Sequence, residues 1–147
     1  MGASYLQPVI TRHTQVARVN TERMRANVVE AAQQCGILAV PGVGEPIRLE
    51  AATSDQDRLL VFCDEDADVK DPVAVLAAAK TGMRRPAPVA VLVGPEGSFA
   101  NEERAGLLGR PRVIRIALGP RILRADTAAV AALTLVQAVL GDWPAAD

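Results

Sequence analysis

Residues that build metal centres and disulfide frameworks are scarce in this chain. It has two cysteines, Cys35 and Cys63, and a single histidine, His13, in 147 residues. The cysteines form no CxxC pair, and no histidine lies at a metal-ligand spacing from either of them, so we expect no metal site. Isolated cysteines are typical of reduced thiols in a cytoplasmic protein.

Aromatic residues and long apolar runs are also few. Aromatics make up 3% of a sequence that is 50% hydrophobic, so alanine, valine and leucine must fill the core. The length favours one domain that spans residues 1–147. The most apolar segment, 127–140, is too short to span a bilayer, and the N-terminus has no signal-peptide or transit-peptide pattern. We therefore expect a cytoplasmic protein with no membrane partner.

Three common nucleotide and hydrolase signatures are missing. The sequence contains no GxxxxGK[ST] phosphate loop, and Gly42-Val43-Gly44 lacks the third glycine and the following helix of a dinucleotide fingerprint. His13 lies beside Arg12, far from any nucleophile-elbow pattern, which excludes serine-hydrolase chemistry. We interpret His13 as an ordinary surface histidine.

The net charge of −1 hides an uneven distribution. Residues 80–124 hold nine Lys or Arg against three acidic residues, a balance of +6, and residues 45–71 hold three against nine, a balance of −6. Nearly all the positive charge is arginine, which suits phosphate binding and base stacking. On charge alone, a nucleic-acid surface and solvated helix faces are equally good interpretations.

Apolar periodicity predicts that strands and helices alternate, which is typical of a parallel sheet covered on both faces. The first helix should begin after the N-cap Asn20 and end at Gly36. The face of this helix that we expect in the core consists of Met24, Val28, Ala31 and Cys35. Strands are predicted at 6–11, 38–40, 59–63, 89–93 and 113–118, helices at 21–35, from 71 or 72 to 80, at 101–108 and 126–140, and loops at 45–58 and 81–88.

Two apolar runs near the C-terminus stop at a glycine. The first is 91–99, Val-Leu-Val-Gly-Pro-Glu-Gly-Ser-Phe, and the second is 117–127, Ala-Leu-Gly-Pro-Arg-Ile-Leu-Arg-Ala-Asp-Thr. A β-branched run that ends in Gly-Pro is typical of a buried parallel strand that breaks into a tight loop, and open α/β sheets bind ligands beyond such strand ends. Both loops are therefore expected to line one site.

These loops have the composition of a small-molecule pocket. Gly94, Gly97 and Gly119 allow backbone amides and carbonyls to approach a ligand closely. Glycine spacing alone favours a purely structural role, in which these residues end strands and bend loops. The residues expected to form apolar walls are Leu92, Leu118, Ile122 and Leu123.

Together the two motifs resemble a known family. The pair V-G-P-E-G-x-F and L-G-P-R-I-L-R-x-D-T-A closely resembles the RsmE-type ribosomal RNA uridine-N3 methyltransferases of the SPOUT superfamily. The resemblance continues upstream in the segments 7–12, 20–23, 30–36 and 40–41, so it covers nearly the whole chain. It implies an α/β, parallel-sheet SPOUT-type methyltransferase domain with a C-terminal trefoil knot, which uses S-adenosylmethionine as cofactor.

The resemblance also implies the reaction, which is methylation at N3 of a uridine in 16S ribosomal RNA of the small subunit. That transfer requires loss of the N3 proton and stabilisation of the resulting anion. Arg124 is the first candidate for this stabilisation and Arg121 the second, while Glu96 is either the base or a residue that holds the loop shape. The expected donor-binding residues are Leu92, Val93, Gly94, Pro95, Gly97, Leu118, Gly119, Arg121, Ile122 and Leu123.

Other acidic residues near the two loops have simpler interpretations. Asp126 precedes a helical run, and we interpret it as the N-cap of that helix. Asp64 and Glu65 follow the strand 59–63, where a side chain can reach the ribose of a bound donor. The helix 126–140 is rich in alanine and valine almost all round, which predicts a homodimer of the kind that related enzymes form.

The chain departs from the family pattern at three points. Ser98 stands where the family usually has a second glycine, which matters if the loop requires a positive φ there. Ile37 stands where an arginine is common, so a basic contact with the substrate is expected to be missing. The chain begins near the end of what would be the first helix of the domain, so we expect an N-terminally truncated domain without the small β-rich domain.

Two alternatives remain open at this point. One is a non-catalytic module that binds S-adenosylmethionine and dimerises. The other is a SPOUT methyltransferase that acts on transfer RNA. Cofactor binding without turnover would indicate the first, and analysis of the methylated product distinguishes the second.

Overall fold

Strands and helices alternate along the chain in the computed structural model, which describes residues 1–15, 18–55, 57–68, 71–81, 88–95 and 97–143. The α/β class with parallel strands is confirmed. The elements are β1 Tyr5–Leu6, β2 Val9–Ile10, α1 Thr21–Gln34, β3 Gly42–Val43, β4 Ile47–Arg48, α2 Leu49–Ala52, β5 Leu59–Cys63, α3 Pro72–Lys80, β6 Val89–Val93, α4 Asn101–Leu108, β7 Val113–Ile116 and α5 Ala125–Val139.

The central sheet has the strand order β6-β5-β7, with both pairs parallel. Side chains of the middle strand alternate between two apolar clusters, because successive residues of a strand point to opposite faces. Leu60 and Phe62 pack with residues of α2 and α4 on one face, while Leu59 and Val61 pack with residues of α3 and α5 on the other. The sheet is thus covered on both faces, as the alternating pattern predicts.

Parallel pairing brings the carboxyl ends of all three strands to one edge of the sheet. Cys63 is paired with Val93 on one side and with Ile116 on the other. The loops that follow these residues therefore begin next to one another. This edge is where the sequence predicts a ligand site.

The N-terminal third differs from the predicted elements. The strand expected at 6–11 is two short strands on either side of Gln7-Pro8, where proline has no N–H for a ladder. The strand expected at 38–40 is wrong, because Leu38 is fully exposed and the strand is Gly42–Val43, which pairs with Tyr5–Leu6. Apolar character alone does not make a strand where no partner strand lies alongside. The expected loop 45–58 contains the strand β4 and the one-turn helix α2.

Helix α1 begins as predicted and buries the expected face only in part. The side chain of Asn20 accepts a hydrogen bond from the Arg23 amide at 2.9 Å, so the N-cap is confirmed. Ala31 and Cys35 are exposed, and the buried residues of the helix are Thr21 and Ala32. The expected core face is therefore only partly right, because Met24 and Val28 are half-buried but Ala32 is buried in place of Ala31. The helix packs against the short strand β3.

The C-terminal helix α5 begins one residue earlier than the sequence predicts. Arg124 is its N-cap residue and makes no capping hydrogen bond, while Asp126 lies inside the first turn. The interpretation of Asp126 as the N-cap is therefore wrong. A carboxylate in the first turn still interacts favourably with the helix dipole. Within the described ranges, no helix has both the length and the apolar character needed to cross a membrane.

Candidate functional site

A cavity of about 680 Å³ opens at the carboxyl edge of the central sheet. Its volume falls within the range of roughly 300–1,000 Å³ that small-molecule sites occupy. The three loops that follow β5, β6 and β7 form it, as parallel pairing of these strands requires. Its lining residues are Cys63, Asp64, Glu65, Ala67, Asp68, Gly94, Pro95, Ser98, Phe99, Ala117, Leu118, Gly119, Pro120, Arg121, Ile122, Leu123, Arg124 and Ala125.

Most of the residues predicted to bind a cofactor meet in this cavity, but three described ones do not line it. Leu92 is buried in the core with Phe62 and Phe99, and Val93 is the last residue of β6. Gly97 is exposed next to the lining residue Ser98. Glu96 lies outside the described residues. The predicted residues that do line the cavity are Gly94, Pro95, Leu118, Gly119, Arg121, Ile122, Leu123 and Arg124.

Two of the glycines are required for different physical reasons. Gly119 has φ +102°, and a Cβ added there would meet no protein atom within 4 Å. Its backbone therefore needs glycine, while the space beside it is open. A Cβ at Gly94 would instead lie 2.7 Å from the Phe99 ring. That glycine allows the loop to pass directly over a buried aromatic side chain.

The two candidate arginines lie exposed at the rim of the cavity. The side chain of Arg124 is 85% exposed, and its Nε lies 3.9 Å from Oδ1 of Asp126. Asp126 is engaged by its neighbour, since a hydrogen bond from the Thr127 amide holds the pKa of its carboxyl below the usual value. Both Arg121 and Arg124 have the exposure that contact with a bound polyanion requires.

A buried carboxylate joins the walls of the cavity. The side chain of Asp64 is 1% exposed, and its Oδ2 accepts a hydrogen bond from Arg115 Nε at 2.6 Å. Its Oδ1 lies 3.2 Å from a terminal nitrogen of Arg104, and Arg104 also pairs with Asp66. Both oxygens of Asp64 are thus engaged by arginines, which leaves the exposed Glu65 as the freer of the two carboxylates considered for ribose contact.

Sequence reasoning did not identify this ion-pair group. The signal that could have revealed it is Arg115, which stands in the otherwise apolar strand Val113–Ile116. A charged residue in such a strand requires a partner, and the acidic residues after β5 are the ones that parallel pairing brings nearest. The excess of arginine in residues 80–124 therefore consists partly of internally paired side chains and only partly of exposed ones.

The surface interpretation of His13 is incomplete. Its side chain is exposed, yet its Nδ1 lies 2.8 Å from the carbonyl oxygen of Gly97 and 3.1 Å from that of Ser98. Ser98 itself has φ +59°, the conformation for which the family glycine would be suited. No sequence motif pointed to this contact, because 84 residues separate His13 from Gly97.

One thiol also reaches the cavity. Burial raises the pKa of Cys63 to about 12, so this thiol is protonated and neutral at neutral pH. It therefore contributes apolar surface rather than a nucleophile. Among the described residues, no group of three or more His, Cys, Asp and Glu is arranged to hold a metal ion.

Comparison with known proteins finds RNA methyltransferases both by sequence and by fold. Residues 1–137 match the model of the RNA methyltransferase domain family. The chain is 29% identical over 137 residues to ribosomal RNA small subunit methyltransferase E of Rickettsia conorii, which covers 93% of this chain and 54% of that protein. The protein of the same name from Mycobacterium bovis is 33% identical over 132 residues, covering 84% and 46%.

Two solved structures share the fold with a bound cofactor. A putative methyltransferase from Legionella pneumophila in complex with S-adenosylmethionine superposes with a TM-score of 0.70 at 29% identity, over 93% of this chain and 56% of that one. Ribosomal RNA small subunit methyltransferase E from Neisseria gonorrhoeae, bound to S-adenosylmethionine, superposes with a TM-score of 0.69 at 26% identity. The match covers 95% of this chain and 56% of that one. The chain spans about half the length of the curated relatives it matches.

Proposed function

Because this chain belongs to the RNA methyltransferase domain family, we propose that it is the catalytic, donor-binding domain of an S-adenosylmethionine-dependent ribosomal RNA methyltransferase. The observation that carries the proposal is the cavity at the carboxyl edge of the sheet, which both glycine loops line. Two structures of similar fold are solved with S-adenosylmethionine bound. In this proposal residues 1–147 act as one domain, with the trefoil knot that the family resemblance implies.

The lining of the cavity fits the parts of the donor. Backbone groups beside Gly119 can hydrogen-bond to the edge of an adenine, because the space in which a side chain would stand there is open. Leu118 and Leu123 are half-buried and supply apolar walls. Glu65 is exposed at the cavity and can accept hydrogen bonds from ribose hydroxyls. The donor, when bound, supplies the methyl group as a sulfonium.

We propose N3 of a uridine in 16S ribosomal RNA as the acceptor, on the basis of the name that the relatives carry. Arg124 at the rim stabilises the negative charge that develops as N3 loses its proton, and Arg121 contacts the RNA beside it. Glu96 is the proposed base. Because ribosomal subunits are the proposed substrate, we expect the protein to act in the cytoplasm.

The arginine assignment predicts a specific kinetic defect. Arg124→Ala should lower the single-turnover rate of methylation about a hundredfold, the typical cost of removing one group that stabilises developing charge. Affinity for S-adenosylmethionine should change little, because in this proposal the side chain, which is 85% exposed at the rim, acts on the RNA and not on the donor. The assay uses the chain in excess over small ribosomal subunits, with mass spectrometry of digested RNA, and Arg23→Ala on the exposed surface of α1 serves as the control.

The methylated nucleoside identifies the reaction, in addition to the rate that the assay measures. N3-methyluridine in 16S RNA that disappears with Arg124→Ala supports the proposal. An Arg124→Ala protein with the full rate contradicts the role of this residue. Methyl on a ribose or in transfer RNA contradicts the acceptor, and donor binding with no methylated RNA identifies a non-catalytic donor-binding module instead.

We also propose that the chain forms a homodimer through α5. Its buried stripe of Ala128, Ala132 and Val136 faces the protein interior, while Val130 on another face is 56% exposed. An exposed valine on a helix this apolar suits a two-fold contact with a second copy.

Light scattering should give the mass of a dimer for the wild type and of a monomer for Val130→Glu. Val73→Glu, at an exposed valine of α3, should remain dimeric. A wild-type monomer would overturn this proposal.

A further inference from the structure

The segment Gly97-Ser98 is held from two sides by residues that the proposed reaction does not use. Ser98 lines the cavity and has φ +59°, a conformation that residues with a Cβ adopt rarely. Such strain persists only where the surrounding contacts impose it. Its amide donates to the carbonyl of Pro95 at 2.9 Å, which closes the loop locally. Two further contacts come from distant parts of the chain.

His13 provides the first of these contacts. Its Nδ1 lies within hydrogen-bond distance of the carbonyl oxygens of both Gly97 and Ser98, so Nδ1 must carry a proton to donate to them. The backbone of His13 is itself fixed. Thr11 and Thr14 form a hydrogen-bonded turn around it, and the Arg12 amide donates to Glu103 of α4 at 2.9 Å.

Arg104 of α4 provides the second contact. A terminal nitrogen of its guanidinium donates to the hydroxyl of Ser98 at 3.3 Å. The same guanidinium is anchored by ion pairs to Asp64, which is buried, and to Asp66. The hydroxyl therefore gives serine a contact that glycine at this position would lack. The Ser98 side chain is tied to the wall formed by the loop after β5.

We propose that His13 and Arg104 are positioning residues that hold Gly97-Ser98 in the shape required by the methyl donor. This inference rests on the proposed function of the cavity. His13 holds the carbonyl side of the segment, and Arg104 holds the side chain of Ser98. Without the histidine, Ser98 can leave its left-handed conformation, and donor binding must then restore that conformation. Part of the binding free energy is spent on that ordering.

The test compares donor affinity among variants of His13. His13→Ala should bind S-adenosylmethionine about tenfold more weakly, the ratio that corresponds to roughly 1.4 kcal/mol. His13→Asn should restore most of the affinity, because its side-chain amide nitrogen is as far from Cα, in bonds, as Nδ1 of histidine. His13→Gln should not. Arg12→Ala is the matched control, since among the described residues that side chain has one ion pair, an exposed one with Glu102 at 3.4 Å.

A second measurement follows the segment without any ligand. Hydrogen exchange of the Ser98 amide should be faster in His13→Ala than in the wild type and should slow again in His13→Asn. The wild-type titration by itself tests the proposed function. Equal donor affinity in wild type and His13→Ala overturns the positioning role, and so does unchanged exchange at Ser98. A wild type that does not bind the donor contradicts the proposed function, and exchange then decides whether His13 holds the segment.

Discussion

Replacement of Gly119 by leucine is expected to abolish binding of S-adenosylmethionine. The backbone at this residue has φ +102°, the space in which a side chain would stand is open, and Gly119 lines the cavity. A leucine must either project into that space or force the loop out of its conformation, since residues with a Cβ are strained at this φ. Either outcome removes the space for the donor. We expect at least a thousandfold loss of donor affinity, about 4 kcal/mol.

The chain offers a matched control for the backbone strain. Gly36 also has a positive φ, +65°, and a Cβ there would meet nothing within 4 Å, but it lies at the end of α1 and does not line the cavity. Gly36→Leu should therefore carry a similar strain without a loss of donor affinity. Calorimetric titration of both variants separates the two effects. Saturable binding by Gly119→Leu at wild-type affinity would refute the assignment of this loop.

The Asp64→Leu substitution is expected to cause a large loss of stability. It leaves Arg104 and Arg115 without their shared carboxylate, in a site where the Asp64 side chain is 1% exposed. Breaking a buried ion pair by removal of one partner typically costs about 3–5 kcal/mol. The two arginine side chains are 17% and 29% exposed, so water can solvate them in part and reduce this cost. We expect the free energy of unfolding to fall by about 3 kcal/mol.

Urea denaturation at neutral pH gives the free energy of unfolding for this comparison. Asp55→Leu is the control, because Asp55 makes a 3.7 Å pair with Arg58 and its side chain is 50% exposed. An exposed pair of this kind is worth at most about 1 kcal/mol. If Asp64→Leu destabilised the protein no more than Asp55→Leu, the buried group would be structurally dispensable and its role in joining the cavity loops would be wrong.

The central sheet could be predicted from sequence because its signals are local and strong. The strands 59–63 and 89–93 are continuous apolar runs with the bounds that the structure has, and Pro72 with the N-cap Asp71 marks the start of α3. The placement of the two glycine loops at one edge of the sheet followed from parallel pairing alone, although β5 lies between their strands. The short strands β3 and β4 could not be located, because a two-residue strand carries too little pattern to identify it.

The missed parts of the site depend on long-range contacts. His13 meets Gly97 across 84 residues, and Arg115 meets Asp64 across 51, and no spacing rule connects such positions. The sequence raised a positive φ at Ser98 only as a condition on the loop, because the family usually has a glycine at this position. The exposure that distinguishes Arg124 from the internally paired Arg104 is likewise a property of the folded chain.

The most direct test of the account is a titration of the ¹⁵N-labelled chain with S-adenosylhomocysteine, the demethylated donor, followed by amide chemical shifts. We expect saturable shifts at Gly94, Leu118, Gly119 and Leu123, which line the cavity at the carboxyl edge of the sheet. The small hollow of about 20 Å³ near Arg58 and Arg112, at the amino ends of β5 and β7, should show none. No saturable shifts, or shifts confined to that hollow, would contradict the proposal that the two glycine loops bind the methyl donor.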